Sequence, residues 1–233
     1  MKKQLLLLTY TLFLVFSLQA QIHFFVEASG NMSLIPKSEK IVESQSIDPT
    51  TTYTLYMKDT YNENYTGIAG GNIMVGLQAE LKNDFSLESG LELALIKFNR
   101  DFLLTHESMY LPVSNFAIMP STPNSDFRTG LKSDFGLTYL SIPVSVFYQP
   151  IKRKLYVGGG VLPGLLVHSS SVTDDYMFSK LSIAAQLQAR YKMTEKISIV
   201  AAFQQYLSPI FKEGFSPNKT KNRLVKLGLR YDI

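Results

Sequence analysis

The amino-acid sequence predicts an all-β protein, an eight-stranded antiparallel up-and-down barrel that crosses a membrane. Three observations predict it. Apolar and polar residues alternate with period two over long segments, short and long connections follow one another regularly, and aromatic residues gather at one end of the apolar faces. Composition agrees. Of 233 residues, 45% are hydrophobic and 18% charged, with a mean hydropathy of +0.04. Soluble domains carry roughly 25% charged residues. A disordered chain is excluded by the hydrophobic fraction and the small net charge of +4. Zero cysteines exclude a disulfide framework, a thiolate metal site, a cysteine nucleophile and a lipidated N-terminal cysteine. No run beyond the N-terminus reaches the roughly 18 apolar residues of a membrane-spanning helix.

The chain opens with an address. Lys2 and Lys3 precede an apolar run from Leu5 to Leu18, which Gln19 and Ala20 close. This pattern is that of a secretory signal peptide over residues 1–20, cut after Ala20, with the barrel domain over 21–233. Two of the 23 basic residues leave with the leader, so the net charge falls from +4 to +2. No basic patch with interleaved aromatics remains, and no nucleic-acid partner is expected.

Strands follow in order. In Lys180–Met193, Leu181, Ile183, Ala185, Leu187, Ala189 and Tyr191 share one face, and Ser182, Gln186, Gln188 and Arg190 the other. Phe85–Phe98 sets Phe85, Leu87, Leu91, Leu93 and Leu95 against Ser86, Glu88, Gly90 and Glu92. Arg223–Ile233 sets Val225, Leu227, Leu229, Tyr231 and Ile233 against Lys226, Gly228, Arg230 and Asp232. Ile22–Ser33, Thr66–Lys82, Tyr139–Tyr148, Lys154–His168 and Lys196–Leu207 fit in the same sense. Eight strands result, each long enough to cross a bilayer at a tilt, which takes roughly 9–11 residues.

The connections Lys82–Phe85, Tyr148–Lys154 and Met193–Lys196 are tight; Leu34–Tyr65, Asn99–Thr138, Ser169–Ser179 and Ser208–Asn222 are long loops. That alternation is the habit of outer-membrane barrels, which have short periplasmic turns and long outer loops. It places both termini in the periplasm of a bacterium. Phe24, Phe85, Tyr148, Tyr191 and Tyr231 then form a periplasmic aromatic belt on the outward phase.

The inward phase carries Glu27, Glu80, Glu88, Glu92 and Asp232 with Lys82, Arg190, Lys192, Lys226 and Arg230. Five acids face five bases, as expected of charges that must be paired in a narrow bore. Glu88 and Glu92 are not a catalytic pair. Four residues apart on one strand they lie ~13 Å from each other, beyond the roughly 6.5–9.5 Å of an inverting glycosidase. His23, His106 and His168 show no metal-ligand spacing, and no metal or cofactor is expected. His168 and Ser170 have the spacing found in lipid A deacylase barrels, with Asp174 and Asp175 nearby, but alternation places both in the lumen, away from lipid.

The last strand, Lys226-Leu-Gly-Leu-Arg-Tyr-Asp-Ile233, resembles the C-terminal signal read by the barrel-assembly machinery, with Lys226, Gly228, Tyr231 and Ile233 at its marked positions. Tyr139-Leu-Ser-Ile-Pro-Val-Ser-Val-Phe-Tyr148, followed by Leu155-Tyr-Val-Gly-Gly-Gly160, is similar to the centre of PorT-like outer-membrane barrels of Bacteroidetes. That resemblance implies a non-enzymatic barrel whose roles in the family vary, one being a part in type IX secretion. Membrane lipid, lipopolysaccharide and the assembly machinery are the expected partners, with a protein partner at the long loops. The competing expectations are a narrow ion channel and a lipid A-modifying enzyme.

Overall fold

A computed structural model describes residues 21–47, 53–81, 83–112, 127–152, 154–170, 177–212 and 220–233. The expected leader (residues 1–20), Lys82 and the Asp174–Asp175 pair lie outside them. Ten strands form one antiparallel sheet: β1 (Gln21–Ser33), β2 (Ser38–Ile47), β3 (Tyr53–Glu80), β4 (Phe85–Pro112), β5 (Phe127–Ser141), β6 (Val144–Ile151), β7 (Leu155–Ser169), β8 (Leu181–Lys192), β9 (Ile197–Tyr206) and β10 (Arg223–Asp232).

Eight of these positions close a ring. β5 and β6 occupy a single position between β4 and β7. The break falls at Ile142-Pro143 because proline has no N–H to give the ladder. β10 pairs with β1 over Phe25↔Asp232 to Ser33↔Leu224, which joins the last strand to the first and removes the edge. The predicted eight-stranded antiparallel barrel is the observed fold.

Tight turns join the strands at one end, the turn end. Asn83 and Asp84 take positive φ of 65° and 61°, a region these two side chains tolerate. Between β8 and β9 the Thr194 hydroxyl accepts from the Ile197 amide at 3.0 Å.

At the other end the structure corrects the sequence. Leu34–Tyr65 and Asn99–Thr138, expected as loops, are largely strand. β3 and β4 run unbroken from the barrel and stay paired out to Tyr53↔Pro112. Thirteen residues, Tyr53–Tyr65, extend past the barrel rim, about 40 Å of strand at ~3.3 Å per residue. β2 stands above the end of β1 and pairs with β3 over Ser38↔Glu63 to Ile47↔Thr54. β5 flanks β4 as far as His106↔Phe127. The result is a four-stranded palisade, β2-β3-β4-β5, over one half of the rim. The alternation rule missed it because, beyond the buried Glu63, Tyr65 and Arg100 at its base, most of its described residues are partly exposed on both phases, so neither face needs to be apolar. Its Tyr- and Thr-rich sequence does favour strand.

Orientation of side chains is inverted relative to a soluble protein. Leu91, Leu93, Leu181, Leu187, Leu227 and Leu229 are exposed on the outside, while Glu88, Glu92, Arg190, Lys226 and Arg230 are buried within. This contrast supports a directional test. Leu187 is 68% exposed and Gln188 8%. Leu187→Arg is expected to destabilise the barrel by about 2–4 kcal/mol in lipid, and Gln188→Arg far less. Urea unfolding in lipid vesicles measures both; equal losses would put the two residues on one face.

Candidate functional site

The interior is built in two layers. The layer toward the turn end is polar and cross-linked. Arg190 on β8 donates to the Glu88 carboxylate at 2.5 Å, and the Arg230 guanidinium on β10 lies 2.9 Å from the same oxygen. Gln78 on β3 accepts from both arginines, at 3.1 and 2.5 Å. Both guanidiniums also lie over rings: Arg230 is 3.6 Å from the Phe25 centroid, and Arg190 is 4.3 Å from Tyr156 and 5.2 Å from Phe147. Such stacking is worth most where the cation is dehydrated. Phe147 gains its place from Gly158, where a Cβ would sit 2.6 Å from its ring.

One turn further along the bore, Lys226 donates to Glu92 at 2.7 Å and Asn72 donates to the other oxygen of Glu92 at 2.8 Å. Asn31 bonds Asn72 and reaches the Leu95 carbonyl at 3.1 Å. Gln204 donates to Gln186, Gln186 to Gln188, and Gln188 to the buried Glu27 at 3.5 Å. Three buried acids, Glu27, Glu88 and Glu92, thus meet three buried bases, Arg190, Lys226 and Arg230. The other predicted lumen charges sit at the turn-end mouth. Lys192 pairs with Asp232 at 3.5 Å, Asp232 also accepts from Arg230 at 2.7 Å, and Glu80 is half-buried there. Lys82 lies outside the described residues.

The second layer, toward the palisade, is apolar. Ile96, Phe98, Phe135, Leu137, Tyr139, Leu162, Tyr206 and Leu224 project inward from the strands. Two connections close over them. Phe178, between β7 and β8, forms a bridge with Phe211, between β9 and β10. Their rings lie 5.4 Å apart, and Phe178 packs edge-on against Phe135 at 5.3 Å. A cavity of about 10 Å³ beside Tyr139 and Tyr206 is room for one water at most. The sequence carried a signal for this layer. Leu93–Ile96 is apolar on both phases, Leu93 and Leu95 toward the outside and Ala94 and Ile96 toward the interior.

Above the plug, the palisade face that continues the lumen side carries further polar groups. Glu63 and Arg100 form a buried ion pair. The Arg100 guanidinium lies 5.2 Å from Phe102 and 5.0 Å from Phe211. Higher up, His106 meets Asp59 at 2.5 Å and Tyr61 stacks beside Phe102 at 6.3 Å. Leu131 is 61% exposed.

The expected position of His168 is corrected. A register shift in β5–β7 between Thr138 and Tyr139 pairs Thr138 with His168 but Tyr139 with Leu166. The extra residue flips the phase, and His168 stands exposed on the wall instead of in the lumen. No described hydrogen bond joins it to Ser170. Among the described residues no group of three or more His, Asp or Glu is placed to hold a metal.

The five aromatics expected to form a belt at the turn end face outward, whereas Phe25, Phe147 and Tyr156 point into the bore. Phe24, Phe85, Tyr148, Tyr191 and Tyr231 are exposed, Phe85 and Tyr148 with rings 5.3 Å apart. The Lys196 ammonium lies 5.7 Å from the Tyr231 ring. Of the C-terminal positions, Tyr231 and Ile233 face outward, while Lys226 is buried and Gly228 packs against β1.

An antiparallel ring of eight strands, apolar outside and ion-paired within, is a membrane-spanning β-barrel, the one sheet architecture that leaves no unsatisfied backbone in lipid. No family model matches the chain, and no curated protein does. Similar solved structures include the outer membrane protein OprG from Pseudomonas aeruginosa, at 10% identity, 92% of this chain, 97% of that chain and a TM-score of 0.45. Neisserial surface protein A is 12% identical over 90% of this chain and 97% of its own, with a TM-score of 0.43. The outer membrane protease OmpT from Escherichia coli is 8% identical over 92% and 96%, with a TM-score of 0.34.

Proposed function

We propose that the chain is an integral protein of a bacterial outer membrane, non-enzymatic, with a sealed bore and a binding surface on its palisade. In this orientation the turn end and both termini face the periplasm, and the palisade stands outside the cell. The observation that carries the proposal is the combination of a bore filled by two unlike layers with strands that continue far past the rim. A channel has no use for the first. A merely structural barrel has no use for the second.

Two measurements test it. In planar bilayers the refolded barrel is expected to show no steady conductance; stable ion-selective currents would favour the channel. The chain has no native cysteine, so Leu131→Cys gives one unique handle on the palisade face that Leu131 shares with Phe102. A photo-crosslinker there is expected to capture a specific partner at the cell surface. A crosslinker that captures nothing above the level of an outward control at Lys132 would remove the binding role. The resemblance to PorT-like barrels supports a finer version, a part in type IX protein secretion. Secreted cargo is then expected to accumulate in the periplasm of a deletion strain, and unchanged secretion would rule that version out.

A further inference from the structure

A charged groove lies at the foot of β2, where it meets the outer ends of β9 and β10. Lys37, Lys221 and Arg223 line it, with Thr220, Gln205 and one carboxylate, Glu39. Three cations against one anion leave the groove positive. Arg223 is held in place: its Nε donates to the Gln205 side chain at 2.8 Å, and Gln205 in turn donates to the carbonyls of Tyr206 at 3.1 Å and Asn222 at 3.4 Å. A guanidinium fixed in this way is suited to a planar, two-pronged contact with an oxyanion.

The location chooses the ligand. Arg223 is the first residue of β10 on the outward phase, and the next outward residues are Val225 and Leu227, both exposed to the membrane. Phe203 on β9, Met32 on β1 and Leu34 just after β1 are exposed beside them. The groove therefore caps the apolar belt at the level where lipid headgroups begin. An anion bound there would have an apolar wall directly below it for acyl chains, a combination a lipid offers and a soluble acidic peptide does not.

We propose that this groove binds the phosphate group of an outer-leaflet lipid of the lipid A type, through Arg223, Lys221 and Lys37, with its acyl chains lying against β1, β10 and β9. The proposal rests on the orientation given above only for the identity of the leaflet; the site itself is tested on purified protein. Glu39 opposes the anion, which gives the proposal a sign that general damage cannot imitate.

The experiment is native mass spectrometry of the refolded full barrel in detergent, titrated with diphosphorylated lipid A and with the same lipid after dephosphorylation. Wild type is expected to retain the phosphorylated form at least tenfold better. Arg223→Gln/Lys221→Gln/Lys37→Gln is expected to lose at least tenfold of that retention, and Glu39→Gln to gain severalfold. Heat-modifiable migration checks that each variant is folded. Should the triple variant fail to fold, Arg223→Gln alone is expected to lose severalfold. Equal retention of both lipids, unchanged retention by the triple or single variant, or a loss in Glu39→Gln would each overturn the proposal.

Discussion

Glu88→Ala is expected to destabilise the barrel by about 3–5 kcal/mol, the usual range when one partner of a buried ion pair is removed. Glu88 neutralises two guanidiniums at once, Arg190 at 2.5 Å and Arg230 at 2.9 Å. The two would not suffer equally. Arg230 keeps Asp232 at 2.7 Å. Arg190 is left with the neutral Gln78 and the faces of Tyr156 and Phe147. The loss should therefore fall chiefly on Arg190, and Glu88→Ala/Arg190→Met should recover more than half of it. Urea unfolding in lipid vesicles gives both values. A single-variant loss under about 1 kcal/mol would mean that water replaces the carboxylate and that the bore is wet.

That pairing marks the boundary of what the sequence reveals. Alternation in β4 alone says that Glu88 and Glu92 point inward. It does not say that Glu88 meets β8 and β10 while Glu92 meets Lys226. Arg190 is 102 positions from Glu88, Arg230 stands further still along the chain, and Lys226 is 134 positions from Glu92; the tilt and stagger of the ring bring them together. The strands themselves were legible because the lipid forces every second residue to be apolar. Where that force is absent, legibility fails. β2 and the outer halves of β3, β4 and β5 have solvent on both sides and no required pattern. The cap over the apolar layer was hidden for a different reason. Phe178 and Phe211 stand outside the barrel strands and meet only because two connections fold over the mouth together. A single extra residue in β7 was enough to move His168 from the lumen to the wall.

The largest effect is expected at the seam. Gly228→Val should abolish insertion of the barrel altogether. The seam joins β1 to β10 with Ser29 opposite Gly228 and Gly30 opposite Leu227. A Cβ on Gly228 would stand 2.3 Å from the Ala28 carbonyl oxygen and 2.4 Å from the Ser29 Cβ. Its obstacle is the backbone and the first side-chain atom of the partner strand, which cannot rotate away. β10 would have to leave β1, and the open edges would expose backbone groups to lipid at several kcal/mol each. Gly30 provides the control on the same seam. A Cβ there meets nothing closer than 4.0 Å and faces outward, so Gly30→Val should insert normally. Deleting Tyr231–Ile233 should act like Gly228→Val, because it removes the Val26↔Tyr231 and Phe25↔Asp232 pairs and the bond from the Ile233 amide to the Phe24 carbonyl at 2.9 Å. Fractionation and heat-modifiable migration distinguish the outcomes. Gly228→Val and the deletion should leave unfolded chain in the periplasm, and protease added to whole cells should find no surface-exposed β2. Normal insertion of Gly228→Val would mean that the ring does not close where β1 and β10 meet.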